Sequence, residues 1–161
     1  MSNEIASDQS RSLLLRLEGD RLDFIVSAGA GPGGSNGVSV SGIRAVLAQG
    51  RLTEASLEST IAHVEDLIMP ILCVLPASAQ LRVSGAELER AFQLLPVADS
   101  DAASTETLEG LFNELADYAG GSPVAWRHSS SPDDVALGVV VLREVMHHGG
   151  FRAVSLDIDT R

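Results

Sequence analysis

The stretch Leu52–Leu75, LTEASLESTIAHVEDLIMPILCVL, decides how the rest of the chain is arranged. Apolar residues recur in it at alternating spacings of four and three, which places them along one face of a helix. Thr53 stands at the N-cap position, where its hydroxyl can accept a hydrogen bond from a free amide of the first turn. The apolar residues of this stripe are Leu57, Ile61, Val64, Ile68, Ile71 and Leu75. The pattern predicts an amphipathic helix that packs against a hydrophobic core or, as an alternative, against the same helix of a second copy.

Pro70 interrupts this pattern. Proline has no amide hydrogen, and its ring clashes with the carbonyl four residues earlier, so we expect a kink or a stop near Met69. The residues beyond it, 71–75, are apolar throughout and fit either a second helical segment or a short buried strand.

The N-terminal part of the chain predicts a β-hairpin over residues 12–28. Leucines alternate with other residues before Gly19-Asp20, and apolar residues alternate with Asp23 and Ile25 after it. Glycine tolerates the positive φ that a two-residue hairpin turn requires. The glycine-rich residues 29–37 and the acidic residues 98–104 are typical of loops.

The C-terminal part predicts a βαβ unit. A strand at 123–128 precedes a helix at 132–148 that opens on Ser131-Pro132-Asp133-Asp134, and a strand at 151–158 follows. We therefore expect one α+β domain over residues 11–161, preceded by a flexible tail at 1–10. Its mixed sheet would hold about four strands, from the N-terminal hairpin and the C-terminal βαβ unit, packed by four or five helices.

Charge and composition exclude several classes of function. The net charge is −11, so a direct nucleic-acid partner and an anionic membrane surface are both disfavoured. The chain contains no lysine, which excludes Schiff-base and P-loop lysine chemistry. Its single cysteine, Cys73, cannot form an internal disulfide, and no apolar run reaches the length of a membrane span. These observations predict a cytoplasmic protein.

The segment Gly29-Ala30-Gly31-Pro32-Gly33-Gly34 matches G-x-G-x-x-G and follows a predicted strand. The dinucleotide fingerprint requires this turn to lead directly into a helix, whereas Ser, Asn and more Gly follow here. A mobile loop is the simpler interpretation, and an anion-binding nest of backbone amides is the alternative. On that alternative, Gly31, Gly33 and Gly34 are candidate ligand-binding residues.

His147 and His148 end the last predicted helix, where a histidine interacts favourably with the helix dipole. Glu144 and His147 have the i, i+3 spacing of di-iron bundles, but those sites need a second such pair, which the sequence lacks. We therefore predict no metal site and no cofactor. His147 and His148 remain candidate ligand-binding residues together with the glycine loop.

Trp126 and Arg127 are residue types that are enriched where proteins bind one another. If they are exposed they form a candidate interaction site, and if Trp126 is buried it belongs to the core.

Since lysine, metal and phosphate motifs are all missing, the sequence favours a non-catalytic cytoplasmic adaptor or chaperone-like module with a protein partner, and a homodimer is a further expectation. The alternative is a small-ligand-binding protein or enzyme with a site near Gly29–Gly37 and His147-His148. The two classes differ in whether the glycine loop and the histidines meet at one cleft.

Overall fold

The computed structural model describes residues 11–27, 33–75, 78, 80–97 and 101–158. In this part of the chain, six strands and five α-helices form one mixed sheet and a set of helices packed with it. The elements in chain order are β1 (Ser12–Glu18), β2 (Arg21–Ser27), β3 (Gly34–Ser39), α1 (Ser41–Leu47), α2 (Glu54–Leu72), β4 (Gln80–Ser84), α3 (Ala86–Gln93), β5 (Ala102–Ser104), α4 (Thr105–Ala119), α5 (Pro132–Gly149) and β6 (Ala153–Leu156).

The strands lie in the order β3-β2-β1-β4-β6-β5. Strand β4 pairs in parallel with both β1 and β6, while β2, β3 and β5 each run antiparallel to their neighbours. The carboxyl ends of β1, β4 and β6 therefore lie along one edge of the sheet, and their amino ends lie along the other.

The α+β class is confirmed, but the expected count of about four strands is wrong, because the sheet has six. The two strands that the sequence analysis assigned to loops, β3 and β5, are the outermost strands. An outer strand is held by backbone hydrogen bonds to one neighbour and needs no apolar face. Strand β3 has the sequence GSNGVS and is exposed except at Val38, so no hydrophobic alternation marks it.

The predicted C-terminal βαβ unit is also wrong. Pro123–Ala125 forms a short 3-10 helix, and the residues up to His128 are irregular. Val124 is 84% exposed, so it does not anchor this segment to the core as a buried strand residue would. The strand that lies parallel beside β6 is β4, which comes much earlier in the chain.

The N-terminal hairpin forms as predicted, with Glu18 opposite Arg21 and a turn at Gly19-Asp20. Gly19 adopts a φ of 55°, a value that glycine adopts without strain. Leucines from one face of β1 enter the core with apolar residues of β2, so this pair forms part of the sheet's buried face. The residues of this face that enter the core are Leu13, Leu15, Leu17, Leu22, Phe24 and Val26.

Helix α2 confirms the predicted stripe, since Leu57, Val64 and Ile68 are buried. Thr53 caps the helix by accepting a hydrogen bond from the Ser56 amide, and the Ser56 side chain accepts one from the Thr53 amide. We expected a kink or a stop near Met69; the helix does not stop there but continues through Pro70 to Leu72, and the kink stays a prediction. Pro70 lies in the last turn on an exposed side, where water can replace the hydrogen bond that it cannot donate.

Helix α5 is apolar on nearly every side and is buried along most of its length, packed against α2, α3 and α4. A glycine allows α3 to approach it closely. A Cβ added at Gly138 would lie 2.7 Å from the Glu87 carbonyl oxygen and 3.3 Å from the Ala91 Cβ. The close contact between α3 and α5 therefore depends on having glycine, which has no side chain, at position 138.

None of the helices in the described part of the chain is long and apolar enough to cross a membrane. The division into a tail at 1–10 and a domain at 11–161 stays a prediction, since residues 1–10 lie outside the described ranges.

We predict that Gly138→Ala destabilises the fold, whereas Gly110→Ala in α4 does not. The new methyl group at position 138 meets backbone that cannot easily move, and overpacking of this kind costs about 1–3 kcal/mol. Gly110 is an exposed helical glycine, and a methyl group added there would have nothing within 4 Å, so alanine should stabilise the helix by up to about 1 kcal/mol. Urea unfolding followed by circular dichroism measures both changes, and equal effects of the two substitutions would contradict the close helix contact.

Candidate functional site

The carboxyl edge of the sheet brings together parts of the chain that are far apart in sequence. In open sheets with parallel strands, ligands bind in crevices outside the carboxyl ends of the strands. Here β1 ends at Glu18, and β4 ends at Ser84 directly before α3. Helix α1 also begins at this edge. Arg21 at the start of β2 pairs with Glu18 at the end of β1, and Ser39 at the end of β3 pairs with Arg21, so the chain leaves β3 for α1 at the carboxyl end of β1.

Gly85 joins β4 to α3 and allows the chain to pass close to β1. It adopts a φ of 97°, and a Cβ there would overlap the carbonyl oxygen of Leu17. Only glycine fits both this backbone conformation and this space. Beside it, the buried Ser84 hydroxyl accepts a hydrogen bond of 3.4 Å from the Arg16 Nε.

Arg44 of α1 connects three segments at this edge. Its Nε lies 2.8 Å from the Asp20 Oδ1 and its Nη2 lies 2.5 Å from the Glu87 Oε1. The same Nη2 donates to the carbonyl oxygen of Gly19. The hydrogen bond with Glu87 is the largest cause that raises the Arg44 pKa above its ordinary value, with further contributions from the charges of Glu87 and Asp20 and an opposing effect of burial. Arg44 therefore carries its charge at any physiological pH and fixes α1, the β1–β2 turn and α3 relative to one another.

A cleft of about 410 Å³ opens beside Arg44, between α1, α3 and the start of α5. This volume is within the range of small-molecule sites, toward its lower end. Helix α5 is fixed against the segment before α2, because the Asp133 Oδ1 accepts a hydrogen bond of 2.6 Å from the Leu52 amide. The residues that line the cleft are Arg44, Leu47, Ala48, Glu87, Arg90, Asp133, Asp134 and Leu137.

The lining combines both signs of charge over an apolar wall. Two arginines face three carboxylates, which gives a net charge of −1. Helices α3 and α5 both begin at the cleft, and in neither does the side chain of the N-cap residue cap the first turn. The Gly85 amide at the start of α3 donates a hydrogen bond of 3.2 Å to the Glu89 Oε1. The dipoles of the two helices add positive potential to the site. This arrangement is suited to a ligand that has both an anionic and a cationic part.

The residues that the sequence analysis proposed for ligand binding lie elsewhere. Gly31 falls outside the described residues, while Gly33 and Gly34 lie where β3 begins, opposite Val26 of β2. This is the amino edge of the parallel strands. His147 and His148 lie near the same edge, at the end of α5, but β2, β1 and β4 separate β3 from β6. As ligand-binding residues, all five stay predictions.

Trp126 is half-buried, and its indole Nε1 donates a hydrogen bond of 2.7 Å to the carbonyl oxygen of Ser130. Its ring meets that of His128 edge to face at 4.7 Å, and His128 lies 2.7 Å from a carboxylate oxygen of Glu114. Arg127 is exposed. Trp126 and Arg127 as an interaction site also stay a prediction.

Sequence reasoning did not find the cleft residues. Arg44, Glu87 and Asp133 come from three distant segments, and no local spacing connects them. In the sequence, Asp133 and Asp134 are accounted for as charges that stabilise the start of a helix, so nothing marks them as residues of a site. The signal that could have found them is the parallel pairing of β1 with β4, because the rule for carboxyl ends then points to this edge.

Comparisons with solved structures find the same fold in known enzymes. The structure of the Aquifex aeolicus PPX-GPPA enzyme matches with a TM-score of 0.65 and 7% identity, over 91% of this chain and 53% of that chain. An exopolyphosphatase from Cytophaga hutchinsonii matches with a TM-score of 0.64 and 12% identity, over 92% of this chain and 53% of that one. This chain therefore spans about half the length of these proteins. No family model and no curated protein matches the sequence.

This finding corrects the expectation of a non-catalytic adaptor or chaperone-like module. The solved structures that share the fold are described as a Ppx/GppA phosphatase, exopolyphosphatases and related proteins, rather than as interaction modules. The alternative interpretation, a small-ligand-binding protein or enzyme, agrees better with the fold. At 7–12% identity the likeness establishes the fold, and the chemistry has to be argued from the cleft.

We predict that Arg44→Ala lowers the free energy of unfolding by about 1–2 kcal/mol, because it leaves Glu87 and the Gly19 carbonyl without a charged donor. Arg90→Ala, at an exposed arginine of the same cleft, should change it by less than about 0.5 kcal/mol. Urea unfolding measures both values. If the two substitutions have the same effect, Arg44 does not hold the edge together.

Proposed function

We propose that this chain binds a small phosphate-bearing anion, as its magnesium complex, in the cleft at the carboxyl edge. The observation that carries the proposal is the mixed charge of that cleft, with two arginines and three carboxylates around it. The shared fold with proteins described as exopolyphosphatases supports a polyphosphate-type anion as the ligand class.

The charges of the cleft explain why the ligand needs a cation. A bare polyphosphate would be repelled by Glu87, Asp133 and Asp134 in a chain of net charge −11. Magnesium is usually held by one or two carboxylates together with substrate phosphates, and it keeps several of its waters. The acids of the cleft suit that role, so the cation converts a repulsive surface into an attractive one.

The arginines have different roles in this proposal. Arg44 already donates to Asp20, Glu87 and Gly19, so it mainly shapes the site and contributes positive potential. Arg90 is exposed, and its Nε donates a hydrogen bond of 3.3 Å to the Ala86 carbonyl oxygen. Its terminal nitrogens can meet a phosphate oxygen with the forked geometry that arginine provides.

Two helix starts complete the anion site. The N-cap residue Gly85 of α3 has no side chain to cap the first turn, and amides at a helix N-terminus bind phosphate groups. Helix α5 contributes less, because Pro132 has no amide hydrogen and the Asp134 amide already donates to the Ser131 carbonyl oxygen. The apolar wall formed by Leu47, Ala48 and Leu137 excludes part of the water and strengthens these interactions.

The proposal concerns binding by this chain, which has about half the length of the solved enzymes that it matches. Hydrolysis of the bound ligand belongs to the same proposal and is measured in the same samples through released orthophosphate. A cytoplasmic location is part of the proposal too, since Cys73 is the only cysteine and an internal disulfide is impossible.

We predict that the wild-type chain binds inorganic tripolyphosphate in the presence of Mg²⁺, and that Arg90→Ala and Asp134→Asn each weaken binding by about tenfold, or about 1.4 kcal/mol. The first substitution removes a phosphate contact, and the second removes a charge that attracts the cation. Isothermal titration calorimetry with and without Mg²⁺ gives the affinities.

Arg127→Ala serves as the matched control, because Arg127 is an exposed arginine that does not line the cleft. It should leave the affinity unchanged. The proposal fails if the wild-type chain binds no tripolyphosphate in magnesium buffer, or if Arg127→Ala weakens binding as much as Arg90→Ala does.

A further inference from the structure

A second cluster of chemically active side chains lies at the other end of α5. Glu144 and His148 are separated by one helical turn on α5, and Glu65 of the neighbouring helix α2 reaches them. One ligand atom from each of the three residues lies within 4.8 Å of the other two. Along α5, Glu144 follows Asp134 by ten residues, or about 15 Å at roughly 1.5 Å per residue, so this cluster is separate from the cleft.

We propose that Glu65, Glu144 and His148 bind a divalent zinc-class cation that connects α2 to α5. The structure pairs Glu144 with His148, four residues later, instead of with the His147 that the sequence spacing suggested. The third donor comes from α2, which local sequence spacing cannot reveal. This proposal replaces the expectation that the chain has no metal site.

The distances fit a shared ion better than direct hydrogen bonds. The His148 Nε2 lies 3.2 Å from the Glu65 Oε1 and 3.3 Å from the Glu144 Oε2. Charge-assisted hydrogen bonds are shorter, at about 2.7–2.9 Å. In contrast, two ligand atoms that each lie about 2.0–2.1 Å from a tetrahedral zinc ion are about 3.3–3.4 Å apart.

The hydrogen-bonding capacity of the His148 Nε2 also favours a shared ion over two hydrogen bonds. A single Nε2 carries at most one hydrogen, yet it faces two carboxylate oxygens at nearly equal distances. A neutral imidazole offers a lone pair there instead, and one cation can then bind all three groups.

Burial makes the need for a cation stronger at Glu144. Its side chain is only 2% exposed, and a buried carboxylate is costly unless its charge is compensated. Arg143 lies 2.6 Å from the Glu144 Oε1 but also shares its charge with Glu109, at 3.0 Å. Arg143 contacts the carboxylates of Glu144 and Glu109, and Glu65 adds a third carboxylate beside His148, so these four groups have a net charge of −2, which a divalent cation balances.

Arg143 also orients the proposed ligand. Because it holds the Glu144 Oε1, the other oxygen of that carboxylate is directed to His148. The Arg143 guanidinium is itself fixed over the Phe112 ring at 4.1 Å. Metal-binding carboxylates are commonly hydrogen-bonded in this way.

The nature of the donors selects the metal class. One imidazole and two carboxylates suit zinc and neighbouring first-row ions, and carboxylates alone would suit magnesium or calcium. The Glu65 side chain is 43% exposed, so an ion can enter from solvent and keep a water as its fourth ligand.

The test is zinc binding by the full chain, purified without a histidine tag and stripped of metal. We expect equilibrium dialysis with elemental analysis to find one Zn²⁺ per chain. Glu65→Gln and His148→Gln should each weaken binding by at least about tenfold, and His147→Gln should bind as the wild type does. Co²⁺ should give the intense visible absorption of a tetrahedral site in the wild type and lose it in both ligand variants.

Circular dichroism of each variant separates loss of a ligand from loss of the fold. Glu65 is half-exposed, so we expect the Glu65→Gln chain to fold. Its zinc affinity therefore tests the proposal even if His148→Gln fails to fold. The proposal is overturned if the wild-type chain retains no zinc, or if a folded Glu65→Gln chain binds zinc as tightly as the wild type. Equal loss of zinc in a folded His147→Gln chain would also overturn it, because His147 contributes no ligand atom to the cluster, although its ring lies 5.1 Å from that of His148.

Discussion

The burial of helix α5 is the constraint on which the rest of the structure depends. From Val135 to Leu142 every residue of this helix is buried, so it has no side that can face water. Enclosing it requires α2, α3 and α4 to surround it, and α3 can come close only because position 138 is glycine. The result is that α5 is accessible mainly at its two ends. The polar chemistry of the molecule is concentrated at those ends, with the acids Asp133 and Asp134 at the start and Glu144 with His148 near the finish.

Elements that bury large apolar side chains in a regular pattern could be predicted from the sequence. Helix α2 follows from the spacing of Leu57, Val64 and Ile68, and the hairpin follows from the alternation around Gly19. Strands β3 and β5 could not be predicted in this way, because their stability comes from backbone pairing with β2 and β6. The β3 segment GSNGVS has no apolar face to detect, and the three residues of β5 are too few to show the alternation of apolar and polar residues that marks a strand. The reverse error occurred at residues 123–128, which were predicted as a strand although the structure leaves Val124 in solvent.

The candidate site was harder to predict than the fold, for a physical reason. Its geometry arises from the parallel pairing of β1 with β4, two strands separated by more than sixty residues that include several other elements. Arg44 meets Asp20 through the hairpin and β3, but it reaches Glu87 because the β1–β4 pairing places α3 beside the β1–β2 turn. The glycine motif is visible in the sequence because it is local, whereas the glycine that matters at this edge is the isolated Gly85. Its role is visible only from its positive φ and its contact with Leu17.

Under the two proposals, charge balance connects the two ends of α5, because a divalent cation would allow so acidic a chain to bind an anionic ligand. The cleft has a net charge of −1 and the cluster around Glu144 has a net charge of −2, so each of them favours a divalent cation. The cations differ, because carboxylates with phosphate suit magnesium and an imidazole among carboxylates suits zinc. The ends are about 15 Å apart along the helix. This exceeds the Debye length of about 8 Å for solvent-exposed charges at physiological ionic strength, but the buried Glu144 is screened less than an exposed group. Under these two proposals, an ion at Glu65, Glu144 and His148 would connect α2 to α5, while the phosphate-bearing ligand would bind at the opposite end of α5.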